Sequence, residues 1–132
     1  MRKILSQGKT SITKLTKGKL PSLPLKDIKE IILGKNYELS ITFVGRKLSE
    51  EINKKYRKKN KPTDILSFPL SKKSGELIIN LEQVRLSASF EKKNYLKYLG
   101  YIVIHGLLHL KGLDHSSTME RKEDQIKNRF NL

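Results

Sequence analysis

The amino-acid sequence predicts an α+β fold, in which a small mixed β-sheet is covered by helices and one central helix is buried. Short runs rich in branched and aromatic residues, bounded by glycine or proline, are typical of strands. They alternate with segments of helical spacing, which favours an α+β domain. The longest helical segment is apolar on nearly every side, as expected of a helix in the middle of a domain. The 132 residues fit a single domain, 1–132, with room for a hydrophobic core.

The first half of the chain predicts two helices and few strands. Residues 1–24 carry six Lys or Arg and no acid, and their apolar residues are isolated, so we expect one short edge strand at most. A helical pattern covers Leu25–Leu33. Strict alternation of apolar and smaller side chains over Glu38–Val44 predicts a strand with one buried face. The acids that follow Ser49 favour a helix beginning there and running to about Tyr56.

The second half predicts two short strands and then three helices. Ile65–Phe68 forms a strand that Pro69 limits, which places it at or near an edge of the sheet. The other predicted elements are one strand and three helices, at Glu76–Asn80, Leu81–Phe90, Lys92–Lys111 and Met119–Phe130. The predicted order is therefore β-α-β-α-β-β-α-α-α.

Composition limits the classes of protein that this chain can represent. It has no cysteine, which excludes disulfides and thiolate metal sites and fits a reducing compartment. It has no apolar run of about eighteen residues and no apolar secretory signal, so we expect a cytoplasmic protein that does not enter a membrane. The formal net charge of +15, from 28 basic and 13 acidic residues, favours a polyanionic partner such as nucleic acid. The alternative is a solvated, lysine-rich surface.

The segment HGLLHLKGLDH contains all three histidines of the chain. His105 and His109 are four residues apart, so on a helix they project from one face. Gly112 can take a left-handed conformation that turns the chain and brings His115 towards them. Three imidazoles with an open fourth position are the usual form of a catalytic zinc site. Asp114 would then either orient His115 or cap the next turn. The alternative is that these are core histidines with satisfied hydrogen bonds.

A basic patch is centred on an aromatic residue. Six of the eight residues of Lys54–Lys61 are basic, and Tyr56 lies among them. Such a patch suits single-stranded nucleic acid, because phosphates need positive charge and bases need a surface for stacking. It equally suits a solvated helix end, where cations interact favourably with the helix dipole.

Together these motifs resemble those of the YbeY family, bacterial metal-dependent endoribonucleases that take part in ribosomal RNA maturation. The histidine segment fits the family pattern H-G-x-L-H-L-x-G-x-D-H at every fixed position. INKKYRKKNKPTDILSFP, Ile52–Pro69, resembles the second family block, and GELIIN, Gly75–Asn80, resembles the strand between the two. Asn60 stands where the family usually has an acid, and Glu76 stands where it usually has Asp.

The resemblance implies a zincin-like fold, a small relative of the zinc metalloprotease catalytic domain. It implies that His105, His109 and His115 hold one metal ion, usually zinc, although another transition metal would also suit them. It implies that Arg57 is the functional basic residue beside the metal. The implied substrate is single-stranded RNA, chiefly ribosomal RNA precursors, with ribosomal subunits or ribosomal proteins as partners and a role in ribosome quality control. The oligomeric state is not predicted.

One residue separates this chain from the proteases that share its histidine spacing. Metzincins carry H-E-x-x-H-x-x-G-x-x-H, whereas Gly106 stands here in place of their general-base Glu. Phosphodiester cleavage needs other groups: Arg57 can hold a phosphoryl oxygen, and the RNA 2′-hydroxyl is an internal nucleophile. We therefore predict an endoribonuclease. The alternatives are a ribosome-assembly factor that binds ribosomal RNA and has a mainly structural metal, and a metalloprotease.

Overall fold

The described part of the chain forms five strands and five helices. The computed structural model describes the backbone of residues 3–16, 18–57, 64–113 and 117–132, and the side chains of residues 8–16, 18–55, 64–113 and 117–132. In chain order the elements are β1 (Lys3–Gln7), β2 (Thr10–Lys14), α1 (Leu25–Leu33), β3 (Glu38–Val44), α2 (Arg46–Arg57), β4 (Ile65–Ser71), β5 (Ser74–Asn80), α3 (Leu81–Phe90), α4 (Tyr95–Leu110) and α5 (Ser117–Arg129).

The five strands form one mixed sheet in the order β1-β2-β3-β5-β4. The β2–β3 and β3–β5 pairs are parallel, whereas the β1–β2 and β4–β5 pairs are antiparallel. The mixed sheet that the sequence predicts is therefore confirmed. Strand β4 lies at an edge, as the position of Pro69 predicts, since proline cannot donate to a neighbouring strand.

Helix α4 lies at the centre of the main core, on one face of the sheet. Its residues Leu99, Val103 and Leu107 are fully buried and belong to the same apolar cluster as Ile41 of β3 and Leu77 of β5. Helices α1, α3 and α5 contribute to this cluster as well. The predicted buried central helix is therefore confirmed. No helix in the described ranges is both long and apolar enough to cross a membrane.

A smaller cluster covers the opposite face of the sheet. Val44, Leu66 and Ile78 are buried there, and Ile52 of α2 packs against them. Because neighbouring residues of a strand point to opposite faces, β5 contributes Leu77 to one cluster and Ile78 to the other. The sheet thus has helices on both faces, and its β4 edge is the side nearest to α4.

The prediction of at most one strand in residues 1–24 is wrong, because both β1 and β2 form there. Strand β2 pairs in parallel with β3, and β1 extends the sheet by one more strand. The side chain of Lys14 is buried and its ammonium group donates to the carbonyl of Gly18, so a charged residue occupies an interior position. Pairing with a distant strand, rather than a local apolar pattern, stabilises this segment.

The predicted beginnings of two helices are also wrong by three residues each. Helix α2 begins at Arg46, because the amide of Ser49 donates to the carbonyl of Gly45 and forms the first helical hydrogen bond there. Helix α4 begins at Tyr95 rather than Lys92. Lys92 has a left-handed φ of 55°, which is incompatible with a helix, and the Asn94 side chain accepts a hydrogen bond from the amide of Lys97 as the N-cap.

Candidate metal centre

Helix α4 brings two of the three histidines together. The Nε2 atoms of His105 and His109 lie 3.1 Å apart, and the ring planes are at 81° to each other. This arrangement follows from their spacing, because residues four apart lie one above the other on a helix. Both side chains are half-buried at the edge of the core, so two imidazole nitrogens converge at the protein surface.

The chain reverses directly after α4, as Gly112 predicts. Gly112 has a φ of 101° and donates from its amide to the carbonyl of His109, at 2.9 Å. The amide of Leu113 donates to the carbonyl of Leu108, at 3.1 Å, which completes a Schellman motif. The predicted third ligand, His115, and the neighbouring Asp114 lie outside the described residues, so their roles stay predictions.

A buried carboxylate holds the outer side of the His105 ring. Glu123 of α5 is only 6% exposed, and its Oε1 lies 2.5 Å from Nδ1 of His105. The sequence reading missed this residue. A signal was present, because Met119, Glu123 and Ile126 follow the inward spacing of α5, and an acid on an apolar stripe is unusual.

The two described histidines fit a metal ion. A carboxylate at Nδ1 of His105 favours the tautomer that carries its proton there, so that Nε2 presents a lone pair. Bonds of about 2.0–2.1 Å to a tetrahedral zinc ion would separate two ligand nitrogens by about 3.3 Å, close to the 3.1 Å between these Nε2 atoms. In the described ranges no three His, Asp or Glu side chains surround a common metal position. A third protein ligand would therefore come from outside those ranges, as predicted for His115.

Close packing explains why glycine follows the first histidine. A Cβ atom on Gly106 would lie 2.8 Å from Cδ1 of Ile65 and 3.0 Å from Oγ of Ser67. The Ser67 hydroxyl donates to the carbonyl of Gly106, at 3.4 Å, so α4 lies directly against β4. Any side chain at position 106 would therefore have to displace neighbours on β4 and β5.

Two tyrosines continue the histidine face towards the start of α4. The ring centroid of Tyr101 is 5.9 Å from that of His105 and 6.2 Å from that of Tyr98. The Tyr98 hydroxyl donates to Oδ2 of Asp64, at 3.0 Å, and so joins α4 to the residue before β4. Burial, with a further contribution from the Asp64 carboxylate, raises the pKa of Tyr98 to about 12.

The basic patch is described only in part. Lys54 and Lys55 are exposed near the end of α2, and the backbone of Arg57 forms the last residue of that helix. The side chain of Arg57 and all of residues 58–63 lie outside the described residues. The position of Arg57 relative to the metal ligands therefore stays a prediction.

Comparisons with known proteins agree on one family. The family model described as "Endoribonuclease YbeY" matches residues 7–131. A relative of that name from Colwellia psychrerythraea is 39% identical over 95 residues, which are 67% of this chain and 61% of the relative. One from Acholeplasma laidlawii is 34% identical over 116 residues, which are 81% of each chain. The solution structure of TM1509 from Thermotoga maritima matches 91% of each chain with a TM-score of 0.66 and 28% identity. The predicted fold class is thereby confirmed.

Proposed function

This chain belongs to the YbeY family, and from that premise we propose that it is a metal-dependent endoribonuclease of single-stranded RNA. The observation that carries the proposal is the pair of Nε2 atoms of His105 and His109, 3.1 Å apart, with His105 held by Glu123. The proposed substrates are ribosomal RNA precursors, and ribosomal subunits or ribosomal proteins are the proposed partners. The proposed role is ribosomal RNA maturation and ribosome quality control. Because these processes take place in the cytoplasm, we propose that the protein acts there.

Three histidines would hold the ion in this proposal. They are His105, His109 and His115, and zinc suits them because imidazole nitrogen is one of its preferred ligands. The ion, when bound, would supply Lewis acidity at a phosphoryl oxygen. Glu123 would keep the His105 ring in one orientation and one tautomer, as carboxylates beside metal-binding histidines commonly do.

The remaining chemistry would come from basic groups of the chain and from the RNA itself. The planar guanidinium of Arg57 would hold a non-bridging oxygen and offset the negative charge that develops there. Lys54 and Lys55, both exposed on α2, would attract the RNA backbone. The 2′-hydroxyl of RNA would supply an internal nucleophile that DNA lacks.

Two observations favour RNA cleavage over the other candidate functions. Gly106 stands at the position where zincin proteases carry their general-base Glu, and it packs closely against β4. The relatives bear the name of an endoribonuclease, which supports a nuclease over an assembly factor with a mainly structural metal.

The decisive experiment incubates metal-loaded protein with labelled single-stranded RNA, double-stranded RNA and casein, each with and without a chelator. We expect only the single-stranded RNA to be cut, and only without chelator. Elemental analysis should find one transition metal per chain, and His109→Ala should lose most of it. Lys111→Ala, at an exposed position just after α4, should keep it. Cleavage of casein alone, or equal metal in His109→Ala and wild type, would overturn the proposal.

A further inference from the structure

A groove beside His105 has no part in the reaction proposed above. It lies between the first turns of α4 and helix α5 and has a volume of about 370 Å³. Tyr98, Tyr101 and Leu132 form its apolar wall, and its polar lining consists of Asn94, Lys93, Lys97 and Lys127. Its volume is at the lower end of the range for small-molecule pockets, roughly 300–1,000 Å³. We call it the Tyr101 groove.

Two ammonium groups from different elements converge on the ring of Tyr101. The Nζ of Lys93, before α4, is 5.9 Å from the ring centroid, and the Nζ of Lys127, on α5, is 5.4 Å from it. Each also pairs with one carboxylate at 3.7 Å, Lys93 with Glu91 and Lys127 with Asp124. Such partly exposed pairs contribute at most about 1 kcal/mol, so a phosphate can replace the carboxylate at little cost.

Tyr101 connects these cations to the metal centre. It lies one turn before His105 on the same face of α4, and the two ring centroids are 5.9 Å apart. Its ring is half-buried, which leaves part of it available to a ligand in the groove.

We propose that the Tyr101 groove binds the nucleotide next to the cleaved bond of a single-stranded RNA. The ammonium groups of Lys93, Lys97 and Lys127 would neutralise the phosphates on its two sides, and the ring of Tyr101 would lie against its sugar or base. A positively charged groove with an aromatic surface is the usual design of a single-strand binding site. This assignment rests on the proposed endoribonuclease function and adds to it a site for the strand beside the metal centre.

The charge part of the proposal is tested by binding, without cleavage. The probe is a fluorescent single-stranded RNA whose 2′-hydroxyls are methylated, added to metal-loaded protein over a range of salt concentrations. Loss of two phosphate contacts in Lys93→Gln/Lys127→Gln should lower the salt slope by about 1.4, or 0.7 per contact. At physiological salt this corresponds to a roughly tenfold loss of affinity.

A matched pair of lysines controls for the general loss of charge. Lys9 and Lys26 are also partly exposed and ion-paired, with Glu38 at 4.0 Å and with Glu30 at 3.8 Å. Lys9 precedes β2, which lies towards the edge of the sheet opposite to β4. Lys9→Gln/Lys26→Gln removes the same net charge, and we expect it to leave the salt slope near the wild-type value.

The aromatic part is tested separately at Tyr101. Tyr101→Phe keeps the ring and should bind the probe nearly as well as wild type. Tyr101→Leu keeps an apolar side chain but loses the ring and should weaken binding at least about fivefold, the lower end of what one stacked base contributes. Circular dichroism checks that both variants fold, and the lysine pair tests the groove independently of this half-buried position.

The outcomes separate the groove from the proposed function. If wild-type protein cuts single-stranded RNA while the Lys93/Lys127 pair behaves like the Lys9/Lys26 pair, the groove assignment is wrong and the nuclease stands. Equal affinity of Tyr101→Leu and wild type would remove the aromatic contact. If the wild-type protein neither binds nor cuts single-stranded RNA, the proposed function itself fails.

Discussion

Replacing Glu123 by glutamine tests whether the buried carboxylate controls the proposed metal centre. The substitution keeps the size of the side chain and an oxygen that can accept from Nδ1 of His105, but it removes the negative charge. Glu123 is 6% exposed and its Oε1 lies 2.5 Å from that nitrogen, so water has little room to replace the lost interaction. The effect should therefore be visible at His105 and in metal affinity.

The size of the effect follows from what such outer partners contribute. Losing the partner of a metal-binding histidine commonly costs about 10–100-fold in metal affinity. The loss of metal affinity in Glu123→Gln should be near the lower figure, about tenfold or 1.4 kcal/mol, because a hydrogen bond to His105 remains. The loss of metal affinity in Glu123→Ala should be near the upper figure, about 2.7 kcal/mol, because Nδ1 of His105 then loses its hydrogen-bond partner Glu123 in addition to the negative charge.

The assay is competition for zinc between the protein and a chromophoric chelator at one fixed pH. Glu120→Gln is the matched control, since it removes the same charge from an exposed position of the same helix. Its zinc affinity should stay near that of the wild type. The reasoning is refuted if Glu123→Gln binds zinc as tightly as the wild type, or if Glu120→Gln loses as much affinity.

Three further predictions concern Arg57, Tyr98 and Gly106. Arg57→Lys keeps the charge but loses the planar guanidinium, so the rate of single-turnover cleavage at saturating protein should fall at least about tenfold. Lys58→Ala is the control and should change that rate little. Equal rates for the two variants would remove the special role of Arg57. Tyr98→Phe should lower the free energy of unfolding at neutral pH by about 1.5 kcal/mol, because the hydrogen bond to the Asp64 carboxylate is lost. The pKa of Tyr98 is raised to about 12, so its contribution to the free energy of unfolding is full below the ordinary value near 10 and is lost as pH rises towards 12. Denaturant unfolding should therefore show a smaller difference in stability between wild type and Tyr98→Phe at pH 11 than at pH 8. An equal difference at the two pH values would contradict the burial argument. In Gly106→Ala, overpacking against Ile65 and Ser67 should lower the free energy of unfolding by about 1–3 kcal/mol. Better helix propensity should offset at most about 1 kcal/mol of that loss. A melting temperature above that of the wild type would show that β4 yields easily.

The sequence predicts well what depends on local pattern. Strand β3 has the predicted bounds, Glu38–Val44, because its alternation places Leu39, Ile41 and Phe43 on one buried face. The pairing of His105 with His109 follows from helical spacing alone, and Gly112 marks the turn because its left-handed φ suits glycine. These features need no knowledge of the rest of the chain.

Features that depend on distant partners were missed. Strand β2 contains the buried residues Thr10 and Lys14, and it is stabilised by its pairing with β3 rather than by an apolar pattern. Glu123 lies eighteen residues after His105, so only the packing of α5 on α4 shows that the two side chains meet. A polar residue at an interior position can be recognised in the sequence, but its partner cannot.

The residue after the first histidine shows how packing and chemistry are connected in this fold. In a zincin protease that position supplies the general base, whereas here α4 approaches β4 and β5 so closely that a Cβ atom on Gly106 would meet Ile65, Ser67 and Leu77 within 3.1 Å. A scaffold packed in this way keeps His105 and His109 together, but a larger residue at position 106 would have to displace these neighbours. The catalytic groups must then come from other elements or from the substrate itself. Cleavage of RNA, whose 2′-hydroxyl already provides a nucleophile, is a reaction that this arrangement can still support.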